Sequence, residues 1–371
     1  MNKQFLFKVR EATPDDSEDL IRFSLNCPME GDGISICHYR PKNYFLPYQV
    51  DGFLHKVFIA ENDKDEIIGT ATIKIQLTNI DNKLRKAAYL CDLKVHPKYR
   101  NGRIANQLVK SRINLLKELY PDEFEEIPIY LSVLENNKKM EKRLSKRNKS
   151  QTYFNKLSSI KTFSIPLFFK RKVRSNSTIS LRKAKSEDLD IMSELWEKKN
   201  SNSDFYTSIK KDEILSASSL ININHYKVIT NKRNNKIIGF LGSSNFDEIK
   251  EIRIFKYSFK MKMVKGFLNF LFSLFKKSGL PEEGNPLKII QTFHLCIDNL
   301  TKNEFSDFLT LIYNHTLDSD NVFLNINVPA DFPYQEEFAP FLAQITNTDL
   351  YFSNNSSEKI KKGINYEVAF V

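Results

Sequence analysis

The sequence contains no CxxC pair and no HExxH or CxxH spacing, and its four cysteines, Cys27, Cys37, Cys91 and Cys296, are scattered along 371 residues. This excludes a zinc ribbon and fits reduced thiols better than a disulfide frame, so a metal enzyme is not expected. Glycine and proline are sparse, at 11 and 13, which excludes collagen-like and linker-dominated chains. No run of about 18 apolar residues is present, and the opening MNKQFLFKVREATPDD turns charged too early for a secretion signal. A cytoplasmic address is therefore expected. Apolar surface is plentiful: hydrophobic residues make up 41%, aromatics 12%, and phenylalanine alone numbers 29. That rules out wholesale disorder, and at about 150 residues per domain the length suggests two domains.

The formal charge of +11 has a local origin. Residues 138–174 hold thirteen Lys/Arg and one acid, Glu141, so that segment carries the whole excess. It reads as a solvated helix and linker or, alternatively, as a surface for an anionic partner.

The chain repeats itself. Val9-Arg10-Glu11-Ala12 followed by TPDDSEDL reads as a strand, a capped turn and a helix, and the same order returns at Leu181-Arg182-Lys183-Ala184 followed by KSEDLDIMSELW. VFIAENDKDEIIGTA around Gly69 matches KVITNKRNNKIIGFL around Gly239, each two strands joined by a polar turn, and these glycines stand 170 residues apart. Two matches at nearly one spacing point to tandem copies of one fold. Strands and helices alternate in both copies, which implies α/β layers. The polar stretch 171–180 divides them, giving expected units of 1–170 and 181–371. Strands are expected at LKIIQTFHLCI, NVFLNINVP, LYFS and YEVAFV, with helices over Ile104–Leu119, Asn303–Thr316 and Tyr334–Ile345. Residues 253–277 hold seven Lys/Arg, no acid and a crowd of Phe and Leu. A core helix with basic ends is the first reading, and an interfacial helix on an anionic membrane the second.

The most informative segment is Tyr89–Leu108, YLCDLKVHPKYRNGRIANQL. A strand ends at Pro97, an Arg/Asn/Gly turn follows, and a helix starts near Ile104. Backbone amides from Asn101 to Ala105 then lie at the positive end of a helix dipole, with Arg100 and Arg103 at the rim, which suits a phosphate.

This strand, V-x-P-x-Y-R turn and helix resemble the acyl-CoA-binding motif of the GNAT superfamily of N-acyltransferases, Arg/Gln-x-x-Gly-x-Gly/Ala. Arg100, Ala105 and Leu108 match; Arg103 stands where the superfamily has glycine, with Gly102 one residue earlier. The resemblance covers residues 5–165. The second half is similar to a degenerate copy, since DNLTKNEF leads into its helix without glycine, while PMEGDGISICHYRPKNYF and GLPEEGNPLK are similar to tandem-domain members. The resemblance implies two tandem GNAT-like domains, each a mixed, mostly antiparallel sheet flanked by helices, with one acetyl-CoA or other acyl-CoA site. That site would use Leu93, Lys94, Val95, Arg100, Asn101, Gly102, Arg103, Ile104 and Ala105, the backbone of Leu93 and Lys94 pairing with the pantetheine arm as an added strand.

It further implies direct attack by an amine of a small molecule or peptide on the thioester. A lysine-like amine loses its proton at pH 7 at a cost of about 4.6 kcal/mol, so a base is needed. Asp92, in the middle of an apolar strand, is the first candidate, burial being expected to raise its pKa, the alternative being that it hydrogen-bonds a neighbouring loop; Tyr89 on the same strand is the second, or else a buried structural tyrosine. No tyrosine occupies the family's general-acid position near Leu144 and Ser145, which leaves Tyr153 as substitute. Glu30 and Asp32 are expected either to attract the ammonium or to face water. His96 reads as a surface residue. The rival reading is a non-catalytic module that senses acyl-CoA or docks through 138–174.

Overall fold

The computed structural model describes residues 6–31, 33–49, 54–100, 102–135, 137–144, 154–216 and 219–353, with 360 and 363–365. The first half supplies β1 (Lys8–Glu11), α1 (Ser17–Leu25), β2 (Ile34–Tyr39), β3 (Leu54–Glu61), β4 (Ile67–Ile80), β5 (Lys83–Val95), α2 (Arg103–Leu119), β6 (Ile129–Leu134), α3 (Lys138–Leu144) and β7 (Phe154–Pro166). The second supplies β8 (Ile179–Lys183), α4 (Leu189–Asn200), β9 (Ser203–Asp204), α5 (Lys211–Leu215), β10 (Tyr226–Asn231), β11 (Ile237–Ser244), β12 (Glu251–Tyr257) and α6 (Phe259–Leu274). It continues through β13 (Ile289–Ile297), α7 (Lys302–Leu317), β14 (Phe323–Pro329), β15 (Gln344–Ser353) and β16 (Gly363–Ile364).

Twelve strands form one sheet in the order β1-β3-β4-β5-β6-β15-β7-β14-β13-β11-β10-β8. Within it the parallel pairs are β5–β6 and β13–β14; the others are antiparallel. The order reads the same from either end once β1 is matched with β8, β3 with β10, β4 with β11, β5 with β13, β6 with β14 and β7 with β15. At its centre β7 and β15 pair from Gln344↔Ser164 to Ser353↔Phe154. The closing strands are thus exchanged: β7 lies against β14 of the other half, and β15 against β6. A smaller sheet, β2 with β12, also joins the halves.

The sequence repeat is one physical lock used twice. Arg10 donates two hydrogen bonds to the Asp16 carboxylate, at 2.8 and 2.7 Å, and Asp16 also accepts the Thr13 amide at 2.7 Å. Arg182 and Asp188 repeat the pair at 2.7 and 2.9 Å, with the Lys185 amide at 2.8 Å. Each fork ties the first strand to the turn that starts the first helix. Helix α2 buries Ile104, Ala105, Leu108, Arg112 and Leu116, recurring every three or four residues beyond Ala105, on the sheet. Gly69 of β4 permits the close approach: a Cβ there would lie 2.9 Å from Ile104 Cγ2 and 3.1 Å from Leu108 Cδ1.

Three expectations need correction. The helix over 334–345 is a 3₁₀ turn, Gln335–Phe341, since Pro340 cannot donate to a longer helix, and Gln344 already begins β15. Segment 138–174 is helical at its start, as α3, but it is not a linker after residue 153, where most of it is the central strand β7. Its Lys156 pairs with Asp349 at 2.8 Å, Arg174 with Asp307 at 2.8 Å, and Arg171 lies over the Phe341 ring at 4.4 Å. Finally, α6 is no core helix: it buries only Lys265 and Phe272. The strand expected at YEVAFV falls outside the described residues.

Candidate active site

The register between β4 and β5 slips where the sequence places its mid-strand carboxylate. Thr72 faces Cys91 and Thr70 faces Lys94, so β5 carries one extra residue there. Asp92 takes the strain, with φ at +49°. This β-bulge bends the strand and re-aims the Asp92 side chain. The carboxylate meets the Arg40 guanidinium and accepts the Tyr48 hydroxyl, with the Lys94 ammonium 3.5 Å away. Arg40, on the segment leaving β2, is itself buried, donates to the Tyr44 carbonyl at 2.9 Å, and lies 3.9 Å over the Tyr44 ring.

Of the two readings of Asp92, a base or a partner of a neighbouring segment, these neighbours favour the second. Burial alone pushes its carboxyl up, but Arg40, Lys94 and the Tyr48 hydrogen bond hold it well below the usual carboxylate range. A carboxylate so stabilised is a fixed counter-charge and a poor proton acceptor.

Beyond the bulge β5 leaves its other neighbour. It pairs with β6 at Ala88↔Ile129 and Tyr89↔Tyr130, after which Leu90–Val95 and Leu131–Leu134 diverge and β6 turns to β15 instead. Lys94 and Val95 pair with Thr70 and Gly69 of β4 on one edge, and on the other edge Leu93 and Lys94 have no strand partner among the described residues. Behind the gap α2 begins after Gly102, in the left-handed region at φ +84° with no side chain capping the helix, while Arg103 is exposed and Ile104 and Ala105 are buried. Arg100 folds back to donate to the Val95 carbonyl at 3.0 Å and has Glu30 at 4.0 Å. Glu30 therefore faces Arg100 at the rim. Tyr89 exchanges a 2.6 Å hydrogen bond with Ser132 across the start of the gap, as a pairing residue of the strands. His96 is partly buried and accepts the Lys98 amide. Asn101, Asp32, Ser145 and Tyr153 lie outside the described residues.

The gap opens into a cavity of about 470 Å³ at the seam between the halves, lined by β2, β5, β6, β7, β14 and the 245–252 segment. Arg40, Lys74, Lys94, Arg112 and Lys250 line it against the acids Asp92 and Asp247, so its lining is net cationic. Lys250 is lowered to about 8, by burial and then by Arg40. His38 also lines the cavity, and burial, with Lys250 and Lys94 nearby, holds its imidazole well below the ordinary histidine value. Its ring has no hydrogen-bond partner among the described residues. A hollow of about 550 Å³ elsewhere at the seam includes no residue of β5 or α2. Among the described residues no group of three His, Cys, Asp or Glu is placed to hold a metal.

The sequence reading missed His38, Arg40, Tyr48 and Lys250. The run Cys37-His38-Tyr39-Arg40 was in view, but its partners sit on other strands.

A family model described as the acetyltransferase (GNAT) family matches residues 27–144. Residues 27–144 are thus similar to a GNAT domain. The chain's whole fold also has solved counterparts. Saccharomyces cerevisiae N-myristoyltransferase with bound myristoyl-CoA superposes with a TM-score of 0.61 at 12% identity, over 95% of this chain and 80% of that one. A GCN5-related N-acetyltransferase from Sphaerobacter thermophilus gives 0.53 at 10% identity, over 93% and 95%. Comparison with curated proteins finds no match.

The second half repeats the divergence, β13 leaving β14 after Gln291↔Asn325 with the 550 Å³ hollow lined by Leu295 and Asn327–Pro329 beside it, but it fills the bulge and caps the helix. Its bulge recurs between β11 and β13, with His294 at φ +49° in the place of Asp92. There the Phe293 ring lies over Gly242, His294 bonds Tyr226 at 2.8 Å, and Trp196 packs 5.0 Å from His294. Burial lowers His294 to about 4. The corresponding helix, α7, is closed by its own capping box: Thr301 Oγ1 accepts the Glu304 amide and the Glu304 carboxylate accepts the Thr301 amide at 3.0 Å. A carboxylate on that dipole repels phosphate.

Proposed function

We propose that the protein is an N-acyltransferase that binds acetyl-CoA or a longer acyl-CoA in the β5/β6 gap of its first half, and that its acceptor is an amine that also bears an anionic group. The observation carrying this is the divergence of β5 from β6 at the Asp92 bulge, with the Gly102 helix start behind it. The main chain of Leu93 and Lys94 would pair with the pantetheine arm, and the first amides of α2, with Arg100 and Arg103, would hold the diphosphate. Bound acyl-CoA supplies the thioester carbon.

The acceptor nitrogen attacks that carbon; the C–N bond forms, the C–S bond breaks and the free thiol leaves. His38, neutral at pH 7 and like Asp92 a weak base where it stands, accepts a hydrogen bond from the amine and relays the lost proton to water. Asp92 stays ionised and fixes Arg40, while Lys74, Lys94 and Lys250 favour a carboxylate or phosphate on the acceptor. Cytoplasmic residence is part of the same proposal, and no described helix is long and apolar enough to cross a membrane.

A thiol-release assay with acetyl-CoA and longer acyl-CoAs against amines of both charges tests it. Amino acids and aminophosphates should turn over and polyamines should not; preference for polyamines would refute the anionic acceptor. His38→Gln should lower kcat about 10²-fold or more and abolish the acid limb of the wild-type profile, which lies below pH 6.5 because His38 must be deprotonated to act. No thiol release with any amine would refute the enzyme.

A further inference from the structure

Helix α6 presents two faces. Met261, Leu268, Leu271 and Phe272 pack inward on Phe168, Leu280 and Val322. On the opposite side Phe259, Met263, Phe267, Phe270 and Leu274 stand exposed, Phe259 by 80% and Phe267 by 63%. At about 3.6 residues per turn these five fall within roughly an 80° arc, a continuous apolar ridge. The ridge extends past the helix, where Phe275 packs 5.0 Å from exposed Phe169. Isolated exposed apolar side chains are ordinary; a ridge of this length marks a contact surface.

The charges beside the ridge choose the partner. Lys256, Lys260, Lys262 and Lys276 are exposed around it, and Lys170 and Lys172 flank Phe169. The nearby acids Glu282 and Glu283 pair with Lys265 and Lys262. A second copy docking ridge to ridge would bring these lysines against their own kind. A hydrocarbon layer under anionic headgroups satisfies both features, since the rings enter the acyl boundary while the ammonium groups stay among phosphates. At 16 residues the helix is shorter than the roughly 20 that span a bilayer, so it lies in the interface plane.

We infer that α6 docks the protein on the surface of an anionic lipid bilayer, Phe259, Met263, Phe267, Phe270 and Leu274 entering the interface and the flanking lysines engaging phosphate headgroups.

Flotation of the full chain with phosphatidylcholine vesicles, with and without phosphatidylglycerol, tests this. Binding is expected on the anionic vesicles alone and should weaken in high salt. Phe267→Ser with Phe270→Ser should reduce partitioning about tenfold or more at an unchanged melting midpoint, since both rings are already in solvent. Lys260→Glu with Lys276→Glu should remove the preference for anionic lipid. Failure of the wild type to bind anionic vesicles, or undiminished binding by the double serine variant, overturns the assignment. So does a ridge-dependent dimer in ultracentrifugation without vesicle binding, which would give the face to a second copy. None of these readouts depends on acyl transfer.

Discussion

Arg40 and Asp92 stand 52 residues apart in the chain and meet beneath the cavity floor, 4% and 15% exposed. Removing the charge of one leaves the other buried without its counter-ion, which costs about 3–5 kcal/mol. Asp92→Asn should therefore lower stability in urea denaturation by that amount at pH 7, as well as activity. The sign with pH follows from the lowered Asp92 carboxyl: the pair stabilises the fold above the ordinary carboxylate value and ceases to do so as pH falls through the lower folded one. The gap between wild type and variant should thus narrow only below about pH 4. Arg40→Met combined with Asp92→Asn should recover part of the loss, and equal stability of wild type and Asp92→Asn would show that the pair is not coupled. Asp92 was legible as an unusual carboxylate in a strand. Its partner was not, because the position of β2 follows from its pairing with β12 in the other half, and no local spacing encodes that.

At the scale of elements, the phosphate corner depends on how closely α2 sits on β4. Gly69→Ala would set a methyl 2.9 Å from Ile104 Cγ2 and 3.3 Å from the Lys94 carbonyl, so the helix start must move. The expected cost is about 1–3 kcal/mol in stability, with the acyl-CoA KM raised about tenfold or more in thiol-release kinetics. Gly239→Ala is the matched control: its Cβ would meet the Cys296 carbonyl at 2.6 Å, yet it lies in the half whose helix is closed by Thr301 and Glu304. It should destabilise comparably and leave that KM unchanged; a rise in KM there would place a cofactor site in the second half. Both glycines were visible in the repeated Ile-Ile-Gly, as were the Arg10 and Arg182 strands. The bulge was not, because a one-residue slip in register is set by the partner strand. For α6 the 259/263/267/270/274 spacing is in the sequence, but a helix apolar on two sides does not declare which side finds a neighbour.

At the scale of the molecule, the exchanged closing strands make the halves interdependent. β7 belongs to the first half by sequence, yet both its edges are held by the second, through β15 and β14. It buries Ile160, Phe163 and Ile165, each worth about 1.5–3 kcal/mol when withdrawn from water. Nothing in the repeat could have revealed this, because both copies end in a strand whether it folds back on its own half or crosses over. Consequently the boundary at 171–180 marks where the copies join in sequence and does not mark a place where the sheet can be parted. A protease site introduced at the exposed Ser175–Asn176 turn should therefore give two fragments that co-elute at the mass of the intact chain and separate only in denaturant. The first fragment isolated alone should lack a cooperative melt, with β6 a bare edge and β7 without either neighbour. Fragments that part in plain buffer, the first still folded, would mean that each half closes its own sheet.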